Sequence, residues 1–116
     1  MAGTDAADSA MAVWPYTETG VLERAYIEVE TTVAAHGSNT ITVSATQNST
    51  TIFSRATDTA GGALTGDTAP EQTLGATMVG DKLELEKGEV VTFAVAKGGT
   101  GPAYELNVVL VYRLVN

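Results

Sequence analysis

A chain of 116 residues that lacks cysteine and sets 14 acidic side chains against 6 basic ones, for a net charge of −8, has room for one hydrophobic core. The charge repels phosphate backbones and argues against nucleic-acid binding. The absence of cysteine excludes disulfides and thiolate chemistry. No run reaches the roughly 20 apolar residues of a membrane helix, and 44% hydrophobic against 17% charged residues predicts a folded chain.

Residues 1–10, MAGTDAADSA, are small, polar and acidic. They lack the basic and apolar regions of a signal peptide, so folding in the cytoplasm of the producing cell is expected. They offer a core nothing to bury and read as a flexible arm. MAVWPY follows, with the only tryptophan, and an indole needs a surface to pack on. The expected organisation is an N-terminal arm over residues 1–16, bound to a partner or a neighbouring subunit through residues 11–16. A single domain over residues 17–116 follows it.

Period-two alternation begins at Val21. In VLERAYIEVETTV, Ala25, Ile27, Val29, Thr31 and Val33 share one face, and Tyr26, Glu28, Glu30 and Thr32 the other. This predicts a half-buried antiparallel strand. AHGSN supplies turn residues, and NTITVSAT turns Ile41, Val43 and Ala45 inward, predicting a hairpin between these two strands. A short strand is expected around Ile52 and Phe53. Residues 55–73, rich in Gly, Thr and Asp, carry no periodicity and read as a long contact loop. LGATMV predicts a brief edge strand around Leu74 and Met78.

Leu83 and Leu85 alternate with charged residues, Lys87-Gly88-Glu89 marks a turn, and Val91, Phe93 and Val95 form the inner face of the next strand. A Gly-rich turn over residues 97–102 leads to YELNVVLVYRLV. That last run places Leu106, Val108, Leu110, Tyr112 and Leu114 on one face, while Val109, Val111 and Val115 make the other apolar as well. A strand with two apolar faces needs cover twice. Short strands at this spacing, with no helical stripe longer than a turn, predict an all-β sandwich or barrel.

Catalytic readings find little support. His36 is the only histidine; its neighbour Ser38 suggests a nucleophile pair, but residues two apart in a tight turn rarely reach triad geometry. Glu28 and Glu30, and Glu84 and Glu86, are spaced as any solvated strand face spaces them. Asp58, Asp67 and Glu71 are too scattered for a calcium loop, and zinc lacks ligands. Gly98-Gly99-Thr100-Gly101 has neither the following Lys-Ser/Thr nor the helix of a phosphate loop. The sequon Asn48-Ser49-Thr50 stands without a secretory signal. The expectation is a protein that is not an enzyme and uses no cofactor or metal.

The pattern L-x-L-x-K-G-E-x-V-x-F-x-V over residues 83–95, followed by a Gly-rich turn and a hydrophobic terminal strand, resembles viral jelly-roll domains. The layout from Val21 to Val115, with its AYIEVETTV-type first strand and Thr/Gly/Ala-rich middle, is similar to the small decoration, or cement, proteins of tailed-phage heads. Glu89 stands where such turns more often carry Asp. The resemblance implies a jelly-roll-like antiparallel β-sandwich with a short N-terminal arm. It also implies a homotrimer on the outer capsid surface of a virion, bound to the major capsid protein and stabilising neighbouring shell subunits, with no nucleic-acid or membrane partner.

Partner contact is expected where the pattern departs from plain sandwich: Met11, Val13, Trp14 and Tyr16 in the arm, and Leu64, Thr68 and Pro70 in the long loop. Two alternatives share the fold: a carbohydrate- or receptor-binding module of a phage fibre, and a tail tube component. Seven aromatics, mostly at packing positions, disfavour a sugar platform.

Overall fold

Alternation drives the architecture. In the computed structural model, which describes residues 2–3, 8–47, 49–59, 62–74, 84–99 and 102–115, β3 and β4 bury every second residue along most of their length. In chain order the strands are β1 (Ala2–Gly3), β2 (Asp8–Val13), β3 (Thr19–Val29), β4 (Thr40–Gln47), β5 (Thr50–Ala56), β6 (Glu71–Gln72), β7 (Glu84–Leu85), β8 (Val90–Gly98) and β9 (Tyr104–Val115). They form two antiparallel sheets. One has the order β1-β9-β3-β6, with β7 also on β3, and the other has the order β2-β8-β4-β5. The all-β sandwich expected from the sequence is the observed fold.

The core lies between the sheets. Ala25, Ile27 and Val29 of β3 and Leu106 of β9 meet Ile41, Val43 and Ala45 of β4, Ile52 and Phe53 of β5, and Val91 and Val95 of β8. Ile27, Ile41, Val43 and Ile52 retain no exposed surface, and burying each stabilises by about 1.5–3 kcal/mol relative to leaving it in water. Bulges sit at Leu22/Arg24 in β3 and at Ala45/Thr46 opposite β5. The second lets Ile52 and Phe53, adjacent in sequence, both reach the core.

Four expectations are corrected. First, β3 and β4 do not form a hairpin: β3 pairs with β9, and β4 with β5 and β8. Two strands with one apolar face each satisfy burial equally well side by side or across a core, so alternation cannot tell the two apart. Second, residues 8–10 are not a flexible arm but run on with residues 11–13 as one strand. They form β2 and pair with β8 along their whole length, from Asp8 opposite Val95 to Val13 opposite Val90. Ala10 and Ala12 fall opposite Phe93 and Val91, so this strand turns small residues inward, and its alternation is faint in the sequence. The expectation for residues 1 and 4–7 lies outside the described residues.

Third, residues 55–73 are not structureless. Val33 and Leu64 exchange backbone hydrogen bonds at 2.7 and 2.9 Å. The Val29 amide donates to the Thr68 carbonyl at 2.8 Å, and the Ile27 amide to the Pro70 carbonyl at 3.1 Å. With β6 and β7 these segments cover the edge of β3 piece by piece. Arg55 holds the loop down, donating to the carbonyls of Gly62 and Ala63 and to Gln72 Oε1. Fourth, β3 ends at Val29, so Thr31 is exposed, and Leu114, near the end of β9, is 53% exposed. The expected edge strand around Met78 lies outside the described residues; Leu74 packs against the core.

The Lys87-Gly88-Glu89 turn forms as expected. Gly88 adopts φ +89°, the left-handed region that favours glycine. The Glu89 amide donates to the Glu86 carbonyl, and the Glu89 carboxylate accepts from the Glu86 amide at 2.7 Å. This turn does not join a hairpin either, because β7 lies on β3 and β8 in the opposite sheet.

Candidate docking site at the Trp14 edge

Trp14 is fixed by main-chain and side-chain bonds together. Its amide donates to the Glu89 carbonyl at 2.9 Å, and its carbonyl accepts from the Gly88 amide at 2.9 Å. The indole Nε1 donates to the Glu18 carbonyl at 2.8 Å. Gly20 is needed beneath the ring, since a Cβ there would stand 2.6 Å from an indole carbon. The half-buried ring meets Tyr16 edge-on, at 5.0 Å and 75°, and Tyr112 at 5.2 Å and 55°.

Around this cluster the sandwich is open. A pocket of about 380 Å³ lies between β2 and β8 on one side and β9 on the other, lined by Ala12, Val13, Trp14, Pro15, Tyr16, Leu85, Val91, Phe93, Leu110 and Tyr112. Its size falls within the range of small-ligand and side-chain pockets. No charged or amide side chain lines it. The Tyr112 hydroxyl is engaged below, donating to Gln47 Oε1 at 2.6 Å, while Gln47 Nε2 donates to the Glu84 carbonyl at 3.2 Å. This chain links β9, β4 and β7 inside the sandwich. Burial pushes the Tyr112 phenol pKa well up from 10.0.

Beside the pocket, β2 exposes apolar side chains. Met11 is 72%, Val13 60% and Tyr16 51% exposed, with Val90 paired to Val13 on the same outer face. The rest of that outer face is uncharged: Thr92 and Ala94 of β8, Thr42, Ser44 and Thr46 of β4, and Thr51 and Ser54 of β5. The other sheet carries the charge, with Arg24 and Glu28 on β3 and Asn107 across from Glu28. Near its end Glu30 and Glu105 lie together, and their shared hydrogen bond and repulsion raise the Glu30 pKa from 4.5. On the same outer face Val111 is 38% exposed, and Val109 and Val115 are half-buried. Among the described residues nothing covers the second face of β9; the long loop lies along β3 instead.

Of the expected contact residues, the structure brings Met11, Val13, Trp14 and Tyr16 together. Leu64, Thr68 and Pro70 lie apart from them, beyond β3, where Arg55 of β5 reaches Gln72 of β6. Leu64 is corrected outright: it has no exposed surface and plugs the core beside Val33. Thr68 is exposed but its carbonyl is occupied by Val29, and half-buried Pro70 likewise serves β3. The pocket walls Leu85, Val91, Leu110 and Tyr112 carry no signal in the sequence beyond that of core or strand residues.

His36 serves its own turn. Its Nδ1 accepts from the Ser38 amide at 3.0 Å and the Asn39 amide at 2.9 Å, so that lone pair is turned to the backbone and away from the Ser38 hydroxyl. Among the described residues no group of three His, Asp or Glu is placed to hold a metal ion. Compared with known proteins, the chain matches no family model, no curated protein and no solved structure.

Proposed function

We propose that this chain is a non-catalytic assembly protein that docks on a larger protein surface through its Trp14 edge, in the manner of a tailed-phage head-decoration protein. One observation carries the reading. On a chain of net charge −8, Met11, Val13 and Tyr16 stand exposed beside an uncharged pocket and an uncharged sheet face. Exposed apolar side chains grouped in this way mark contact surfaces, and no acid lines the pocket itself. A closed homotrimer would multiply modest contacts through effective concentration.

The sugar-binding alternative fits this edge less well. A platform needs coplanar exposed rings, whereas Trp14 and Tyr16 cross at 75°. The pocket also lacks the carboxylates and amides that take up sugar hydroxyls.

The test combines light scattering with cosedimentation. The protein and a Met11→Ser/Val13→Ser variant are mixed with undecorated tailed-phage heads, and the melting temperature of the heads is followed. The expected result is a trimer that binds and stabilises the heads, with binding lost in the variant at unchanged protein stability. A monomer that ignores heads but binds a glycan array would overturn the reading in favour of the fibre module.

A further inference from the structure

We propose that the outer edge of β2 at Met11 and Val13 and the pocket behind it together receive an extended segment of another polypeptide, one that carries large apolar side chains at alternate positions and basic residues at its flanks. The inference deepens the docking reading above and rests on it, but it specifies how the partner is held.

The backbone supplies the first half of the argument. Trp14 directs its amide and carbonyl to the 86–89 turn, on the β8 side. By antiparallel alternation, the amides and carbonyls of Met11 and Val13 therefore point the other way, along the outer edge of β2. Among the described residues no strand pairs with that edge.

The side chains supply the second half. On an added strand, residues opposite Ala10 and Ala12 would face inward, because those alanines lie opposite Phe93 and Val91 on the inner face. Alanine on β2 leaves the space behind it empty, and the walls Leu85, Val91, Phe93, Leu110 and Tyr112 offer only apolar contact. Main-chain bonding at an edge with a pocket for alternate side chains is the physical basis of strand addition.

The same geometry decides against a second copy. Pairing β2 on β2 with inner faces matched would bring Ala10 and Ala12 to the inward positions, and these are too small to fill about 380 Å³. Charge narrows the partner further. Glu18, Glu86 and Glu89 sit on the segments bonded to Trp14, with Lys87 as the local cation. That excess favours lysine or arginine beside the apolar run.

The probe is a short synthetic peptide in which leucine alternates with threonine between terminal lysines. It is titrated against the full chain while the emission of Trp14, the only tryptophan, is followed. The controls are a scrambled peptide of the same composition and one with alanine for leucine. Met11→Pro is the diagnostic variant. An edge strand tolerates proline where its amide points outward, so the fold should persist by circular dichroism while the added strand loses a donor. Saturable binding of the alternating peptide, weakened about tenfold or more by each control and by Met11→Pro, is expected. Equal binding of the scrambled peptide, no binding of any peptide, or full binding to a folded Met11→Pro protein would overturn strand addition. Continued binding of heads by that variant would leave the broader docking reading standing.

Discussion

Removing the hydroxyl of Tyr112 tests whether the two sheets are locked by the buried Tyr112–Gln47–Glu84 chain. Gln47 is fully buried, its Oε1 accepts from Tyr112 at 2.6 Å, and its Nε2 donates to the Glu84 carbonyl. In Tyr112→Phe the ring still packs on Trp14 and the pocket keeps its wall, but Gln47 Oε1 loses this donor without access to water. A buried acceptor left so costs about 1–3 kcal/mol. For a chain of this length that corresponds to a fall in Tm of roughly 4 °C per kcal/mol. Urea unfolding followed by Trp14 emission measures it directly.

A double-mutant cycle separates this bond from general damage. Gln47→Leu removes the acceptor, so adding Tyr112→Phe to it should cost much less than the same change in the parent, with a coupling of about 1 kcal/mol or more. The pH dependence gives a second reading. Burial raises the phenol pKa in the folded state above its ordinary 10.0. The stability held by the neutral ring is therefore complete below pH 10 and declines as pH rises through the folded value. Tyr112→Phe should flatten that alkaline decline. A loss below about 0.5 kcal/mol, or equal costs in both backgrounds, would refute the lock.

Other perturbations probe the remaining parts. Gly20→Ala places a methyl 2.6 Å from the Trp14 ring, and the displacement should cost about 1–3 kcal/mol and shift the emission maximum. Arg55→Ala releases the carbonyls of Gly62 and Ala63, so hydrogen exchange over residues 62–72 should accelerate while β8 and β9 stay protected. Glu105→Gln alters the shared hydrogen bond and removes the repulsion, which together raise the Glu30 pKa. In the parent that pair favours the folded state below pH 4.5 and loses this contribution as pH rises through the raised value, so the variant should show a flatter stability profile there by chemical denaturation. Ile41→Ala, at a position with no exposed surface, should cost about 2–5 kcal/mol by urea unfolding. Phe93→Ala and Leu110→Ala, at half-buried pocket walls, should each cost less.

Alternation made the inner faces legible. Ile27 and Val29, Ile41 and Val43, and Val91 and Val95 all fall where a period of two puts them. Pairing was not legible, because side-chain period says which way a residue faces and nothing about which strand lies beside it. The β3–β4 hairpin failed on that distinction. Leu64 failed on another. A lone leucine among Gly, Ala and Thr looks like part of a loop, yet it is the residue by which the loop anchors, filling the core beside Val33. Trp14 and its neighbours were legible as a contact segment because apolar residues follow a polar start. Their pocket was not, since Leu85, Leu110 and Tyr112 join them only through the fold.

The treatment of strand edges within this one molecule sharpens the case for an occupant at β2. Exposed edges invite unwanted pairing, and chains usually blunt them with charges, proline or a covering segment. The edge of β3 is covered: β7, β6 and the Thr68 segment lie along it in turn, and Arg55 pins the loop that supplies two of them. Along β2, residues 9–13 are all exposed, Met11 and Val13 the large apolar ones among them, with no lysine or proline among residues 8–13. Covering the edge of β3 took most of a nineteen-residue segment, 55–73. Among the described residues one edge is covered and the other stays apolar beside the pocket, an asymmetry that the proposed added strand would remove.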